Sequence, residues 1–432
     1  MIKIKRPRYI EALKDRMGNG MVKVITGIRR SGKSYLLFEL FYSYLLESGV
    51  ERESVIAISL DDEENLSLRD PQKLWSYLKE NVTDEQRRYY IFLDEIQYAI
   101  SAEELKSAKQ TGAPLRIYDV LNGLLHKKNV DVYVTGSNSK FLSSDVMTEF
   151  RGRGDEIHVL PFSFSEFVQA YEGDAYRAWS DYVMYGGLPQ VPSFKSAEQK
   201  ALYLKRLFEE TYLKDIVARN RIKKGVELAD LVDILASATG SLTNPYKIQQ
   251  TFKSAYHSTV SSRTVSCYID CLKEAFVLNS ASRYDVKGRK YIGSPSKFYF
   301  EDVGLRNARL NFRQVEENHI MENIIYNELR YRGYCVDVGV VEKQVREEGK
   351  PRRVYYEIDF VANKASERLY IQSAFEMGNE AKREQETRSL KNTGDGFRKI
   401  IVQRSTLAPH YDENGIIVMG ILDFLTKEKW DA

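Results

Sequence analysis

The residues with the most readable chemistry in this 432-residue chain are Gly27-Ile28-Arg29-Arg30-Ser31-Gly32-Lys33-Ser34. The spacing Gly-x-x-x-x-Gly-Lys-Ser lets a backbone wrap a row of phosphates. The glycines allow N–H groups to turn inward, the helix that follows adds partial positive charge at its N-terminus, and the Lys33 ammonium reaches the β- and γ-oxygens. Ser34 offers a hydroxyl to Mg²⁺. The ligand this implies is a nucleoside triphosphate, ATP, with Mg²⁺. The competing reading is a Gly-rich turn with a surface lysine, and the apolar strand before it and helical pattern after it argue against that.

Further along, Tyr90-Ile91-Phe92-Leu93 is an apolar run that ends in Asp94-Glu95. At a strand tip, Asp94 can hold Mg²⁺ through water while Glu95 polarises the water that attacks a γ-phosphate. Alone, two acids after a strand more often make a helix cap or a solvated turn. A third run, Val132-Tyr133-Val134-Thr135, leads to Ser137 and Asn138, and Asn138, or Ser137, is a candidate to orient water or sense the γ-phosphate; a plain turn asparagine is the other reading. Arg151 and Arg153, in Phe150-Arg151-Gly152-Arg153-Gly154, are candidate arginine fingers, which a neighbouring copy can supply in a homo-oligomer. A surface salt bridge or a nucleic-acid contact accounts for the same two residues.

The elements that must carry these groups alternate. Short β-branched runs at Met21 to Thr26, Val55 to Leu60, Tyr89 to Leu93 and Val130 to Thr135 are separated by helical patterns, which predicts a parallel sheet between helices. Ligands of such sheets gather at the carboxyl ends of the strands, where the candidate residues fall. Ser101 to Pro114 reads as an inserted loop or short helix. After Pro161 the pattern turns helical, with Phe164, Phe167, Val168 and Tyr171 on one face, and breaks at Tyr185-Gly186-Gly187-Leu188-Pro189, a hinge or a tight packing corner.

These stretches resemble the prokaryotic AAA-superfamily ATPases (AAA_14-type) that carry a DUF4143 C-terminal region. The likeness rests on Thr26 to Ser34, Leu93-Asp94-Glu95-Ile96-Gln97, Thr135-Gly136-Ser137-Asn138, Phe150 to Arg153 and Tyr185 to Pro189, and it spans essentially the whole chain. It implies an additional-strand, catalytic-glutamate ATPase core and leaves the biological task open.

Beyond the first part, helical patterns at Leu228 to Thr239, Asn244 to Lys253 and Ser261 to Leu272, then a strand pair around Asp285-Val286-Lys287-Gly288-Arg289-Lys290, read as a winged helix. On DNA, Arg263 of the third helix and Lys287, Arg289 and Lys290 of the wing would meet the duplex. A protein-interaction or purely structural winged helix has the same pattern. The last part resembles a restriction-endonuclease-like fold, with Glu322 on its first helix and Asp359 on its second strand. Active members of that fold need an acid and a lysine on the next strand, where this chain has Gln372 and Ala374. A neutral amide is a poor Mg²⁺ ligand and alanine carries no charge, so the expectation is a degenerate nuclease fold.

The expected organisation is an α/β chain: a P-loop ATPase domain with a small helical extension at 1–190, a helical and winged-helix domain at 191–312, and a PD-(D/E)XK nuclease-like domain at 313–432. Charge balance, 64 basic against 61 acidic side chains, neither demands nor excludes a polyanionic partner. No stretch reaches the ~20 apolar residues of a membrane span, and the N-terminus lacks the core of a signal peptide, so the location expected is cytoplasmic. Cys267, Cys271 and Cys335 are too few for a disulfide framework and are expected to be buried thiols. The leading function is ATP hydrolysis coupled to DNA or partner engagement. The alternative is a nucleotide-dependent protein-interaction switch with slow turnover and no DNA binding.

Overall fold

The computed structural model describes residues 4–136, 154–313, 316–347, 350–378 and 380–431. The chain forms two compact units, one running to Pro161 and including Glu274–Phe276, the other made of Phe162–Lys273 and the residues from Val277 onward.

The first unit is a five-stranded parallel sheet flanked by helices. Its strands are β1 (Val22–Thr26), β2 (Val55–Ser59), β3 (Tyr89–Asp94), β4 (Val130–Thr135) and β5 (Gly154–His158), in the order β2-β3-β4-β1-β5. The additional strand is therefore β4, which stands between β1 and β3. Every residue of β1 and β3 is buried, the expected fate of a central parallel strand covered on both faces. Ile91, Leu93, Val132 and Val134 pack with Ile117, Leu121 and Leu124 of the helix Arg116–Leu125, and each such side chain contributes about 1.5–3 kcal/mol by leaving water. A charged pair lies inside: Lys23 of β1 bonds Asp131 of β4, which also accepts from the Tyr133 hydroxyl at 2.9 Å.

Local chemistry sets the helix boundaries. Asp70 caps Pro71–Asn81 by accepting from the N–H groups of Gln72 and Lys73, with Pro71 in the first turn where its missing N–H costs nothing. The stretch from Ser101 holds the helix Ala102–Thr111, opened by the Ser101 hydroxyl and ended by Gly112 in the left-handed region. The helix beginning at Lys33 passes through a π-helical stretch, Leu36–Phe41, before Tyr42–Glu47, and Phe41 sits 5.1 Å from the Tyr133 ring and 5.9 Å from that of Phe92. The strand β5 was not foreseen: only five residues long and carrying Asp155 and Glu156, it lacks the apolar pattern of a central strand because it is the sheet's edge.

The second unit begins with helices and ends in a mixed sheet. The helices Gly225–Ser237, Pro245–Ala255 and Ser262–Glu274 precede a hairpin of β6 (Leu278–Asp285) and β7 (Lys290–Phe300). That hairpin joins β8 (Cys335–Glu347), β9 (Lys350–Lys364), β10 (Glu367–Ala374), β11 (Arg398–Gln403), β12 (His410–Tyr411) and β13 (Ile417–Gly420) in one eight-stranded sheet, ordered β12-β13-β11-β10-β9-β8-β6-β7. The hairpin thus lies on the near side of residue 313 in sequence and shares a sheet with strands beyond it. Val286, at its turn, is buried with Val341, Ile358 and Ile401.

The Gly186-Gly187 break is a packing corner within this unit. Asp302 caps the helix Val303–Arg309 through the Leu305 N–H (3.0 Å) and accepts from the Gly187 N–H at 2.7 Å. A Cβ on Gly186 would strike that carboxylate and one on Gly187 the Phe162 carbonyl. The thiols correct one expectation: Cys271 is buried, whereas Cys267 and Cys335 are exposed; Cys267 lies on the side of its helix opposite the core face of Val265, Tyr268, Ile269 and Leu272, and Cys335 opens β8. Among the described residues, no helix is long and apolar enough to cross a membrane.

Candidate functional site

The phosphate loop leaves β1 at Gly27 and enters the helix at Lys33. Gly27, at φ 136°, has no room for a Cβ because the Val159 carbonyl stands there, and Gly32 at φ 91° turns the chain into the helix. Arg30 also takes a left-handed φ of 65°. Ile28 and Ser31 are fully buried, and Arg30 and Ser34 are exposed. Lys33 is 4% exposed and its ammonium donates to the carbonyls of Gly27 (3.0 Å) and Ile28 (3.1 Å). The Ser31 hydroxyl is buried without a hydrogen-bond partner, a costly state that an oxygen-rich ligand held by this loop would relieve.

The acids lie at the same sheet edge because β4 is inserted between β1 and β3. Thr135 pairs with Ile25 in the β1 register and Val134 with Leu93 in the β3 register, so the last residue of β4 stands beside Asp94. Asp94 is buried and accepts hydrogen bonds from the hydroxyls of Thr135 and Ser34. Burial raises its pKa, the two hydroxyls oppose that rise, and Glu95 and Asp61 add to it. A divalent cation beside Asp94 would favour its charged form.

Glu95 follows in the left-handed region, φ 51° and ψ 52°, an unfavourable place for a residue with a side chain. Its N–H donates to the Thr135 hydroxyl at 3.0 Å, and its carboxylate accepts from the Gln97 amide. The Gln97 carbonyl oxygen is buried and without a partner. Thr135 therefore serves both acids, donating to one and accepting from the backbone of the next.

Of the residues expected at the site, Lys33, Ser34, Asp94 and Glu95 lie together at this edge of the sheet. Asn138, Ser137, Arg151 and Arg153 lie outside the described residues. Thr135, Gln97 and Arg6 were missed. Thr135 had a signal, a polar side chain closing an apolar strand. Arg6 had none: it is 1% exposed, stacks over Tyr9 at 4.4 Å, and donates to the Ser31 carbonyl of the loop (3.0 Å) and to the Leu160 carbonyl (2.8 Å). In the second unit Arg263, Lys287, Arg289 and Lys290 are all exposed, and the Lys287 ammonium donates to the Glu342 carbonyl at 2.9 Å.

Residues 19–168 match the family described as AAA domain, and residues 176–316 match a domain of unknown function, DUF8612, where the sequence reading expected DUF4143. Among solved structures, the Aeropyrum pernix ORC1 protein, determined in complex with DNA, aligns with 71% of this chain and 93% of its own at 15% identity and a TM-score of 0.28, a likeness too loose to argue from. A Methanocaldococcus jannaschii protein described as uncharacterised is 25% identical over 386 residues, covering 86% of this chain and 78% of that one. A Haemophilus influenzae protein, also described as uncharacterised, is 31% identical over 430 residues and 98% of each chain. The chain belongs to the family of that Haemophilus influenzae protein, and Gly27 to Ser34, Asp94 and Glu95 lie within the stretch that matches the AAA domain.

Proposed function

We propose that the chain is an ATPase that hydrolyses ATP to ADP and phosphate with Mg²⁺. The observation that carries this reading is the Ser34 hydroxyl bonded to Asp94 beside a buried Lys33, which groups the metal-side and phosphate-side donors of one site. Mg²⁺, when bound, would offset the charge on the phosphates. Ser34 and Asp94 would hold it. Gly27 to Lys33 bind the phosphates, with Lys33 leaving the loop carbonyls to reach them. Glu95, held by its backbone bond to Thr135, orients and deprotonates the attacking water. Asn138 acts as the sensor of the γ-phosphate, and Arg151 or Arg153 acts as the finger within a homo-oligomer.

The output of hydrolysis, on this reading, is a change in how the later parts engage DNA. Support comes from the run of three helices and a hairpin, which suits a winged helix, and from exposed Arg263, Lys287, Arg289 and Lys290. The last part serves as a nuclease-like scaffold that binds without cutting.

The test is ATP turnover with Mg²⁺, with and without duplex DNA. Lys33→Ala should lose turnover, and Glu95→Gln should keep ATP binding while turning over slowly. Normal turnover in both variants would sink the proposal. Stimulation by DNA that fades with salt supports the coupling, and no effect of DNA leaves the interaction-switch reading in its place.

A further inference from the structure

The second unit contains a charged cluster that no step at the phosphate loop uses. Lys297, on β7, is 3% exposed, and its ammonium lies 2.9 Å from Glu322, 2.8 Å from Glu357 and 3.0 Å from Asp359. Glu322 comes from the helix Glu317–Tyr331, and both other acids come from β9. The surrounding bonds hold these groups in place. The Tyr299 hydroxyl donates to Glu322 at 2.7 Å, and Asp359 accepts from the Ser373 N–H at 3.0 Å. Gln372 accepts from the Asp359 N–H and donates to Glu386 at 3.2 Å, so this amide braces the cluster.

An ammonium has three donors, and here each has its own carboxylate. Glu322 and Asp359 are the acids expected to hold metal in a nuclease-like fold, yet the cation at their meeting point belongs to the protein. Its spacing is that of hydrogen bonds, well beyond the ~2.0–2.1 Å that Mg²⁺ demands. Among the described residues, no group of three or more acids, cysteines or histidines is arranged to hold a metal ion.

We propose that Lys297 is a tethered cation that fills the metal position of this carboxylate cluster, so that the C-terminal region stands without divalent metal and β7 is bonded to the Glu317–Tyr331 helix and β9 by charge. Burial disfavours the charge on Lys297, but Asp359, Glu322 and Glu357 outweigh it and hold its pKa above the ordinary lysine value. Burial and the neighbouring Asp359 push Glu322 upward against the pull of Lys297, as expected where one cation faces an excess of negative charge. Taking the ammonium away would leave that excess ready for a divalent ion.

The experiment compares the full chain, Lys297→Met and Lys297→Met/Asp359→Asn, without nucleotide, by Mn²⁺ binding and by melting with and without Mn²⁺. Differences between the proteins cancel any ion taken by the phosphate loop. The expected result is that Lys297→Met binds an additional Mn²⁺, with an affinity at the cluster about tenfold or more above the parent's because a repelling charge has gone, and melts higher with it. The double variant should lose both effects. If Lys297→Met does not fold alone, it should fold on adding Mn²⁺, while Lys297→Met/Glu322→Gln folds without the ion. Indifference of Lys297→Met to Mn²⁺ overturns the proposal. So does Mn²⁺-dependent cleavage of plasmid DNA by the parent that disappears in Lys297→Met, since Lys297 would then be part of a cutting centre.

Discussion

Two buried lysines, Lys33 at 4% exposure and Lys297 at 3%, sit beside acids in this chain, and they are held differently. Lys33 rests on two backbone carbonyls of its own loop, while Asp94 is bonded to the hydroxyls of Thr135 and Ser34. Lys297 is locked onto three carboxylates. A lysine on neutral carbonyls can exchange them for phosphate oxygens at little cost, because the new bonds are charge-assisted. A lysine that already satisfies three acids has nothing to gain from an anion, and its departure would strand buried charge. The first arrangement suits a ligand site and the second suits a structural joint, although both draw on the same residue types.

Lys297→Met should cost the most stability, about 3–5 kcal/mol, because it leaves carboxylates buried without their cation. Chemical denaturation of the parent and variant measures this. Turnover per folded molecule should match the parent's, and a variant as stable as the parent would erase the contrast. Lys33→Ala should behave oppositely, losing on the order of a thousandfold in ATP turnover while changing stability by only about 1–2 kcal/mol. Steady-state kinetics and melting on one preparation separate the two quantities.

A third test concerns a buried acid with no cation to hold it. Burial pushes Asp302 up to about 6 against the N–H groups of Gly187, Leu305, Gly304 and Leu188. Its native pKa lies above the unfolded value of about 4, so the native state binds the proton more tightly. The stability this group contributes is fully present below about pH 4 and is lost as pH rises through about 6. The loss should reach about 2–3 kcal/mol, read as the difference in unfolding free energy between the parent and Asp302→Asn across that range. A constant difference would show that the corner does not titrate.

Thr135→Val should cost about 1–3 kcal/mol of stability, since one hydroxyl is removed from both Asp94 and the Glu95 N–H. Thr135 is among the groups that hold the Asp94 pKa down, so its loss should move the acid limb of the turnover–pH profile to higher pH. An unmoved acid limb in Thr135→Val would show that Thr135 does not set the charge of Asp94.

Much of the first unit was legible in the chain. Four strands fall within a residue or so of their expected bounds, because a central parallel strand needs an unbroken apolar run and such runs are easy to see. Asp94 and Glu95 were found for the same reason, as acids closing one of those runs. The edge strand β5 was not, since half its surface needs no apolar residue. Arg6 escaped because its role depends on carbonyls 25 and 154 residues away. Gln372 and Ala374 stand out in the sequence as an amide and a small residue, but nothing in the order of residues said that a lysine on a hairpin 62 residues before Asp359 would reach that acid.

The sequence by itself determined which groups are available for phosphate chemistry: a glycine-spaced loop, a lysine, a hydroxyl and two strand-end acids, all specified by local spacing. Only the tertiary structure decided how the buried charges are paired. Strand order brought Thr135 to both acids, and the joining of β6 and β7 to the later sheet carried Lys297 into a carboxylate cluster. Pairing in space depends on which distant segments share a sheet, and that is settled by packing the whole chain.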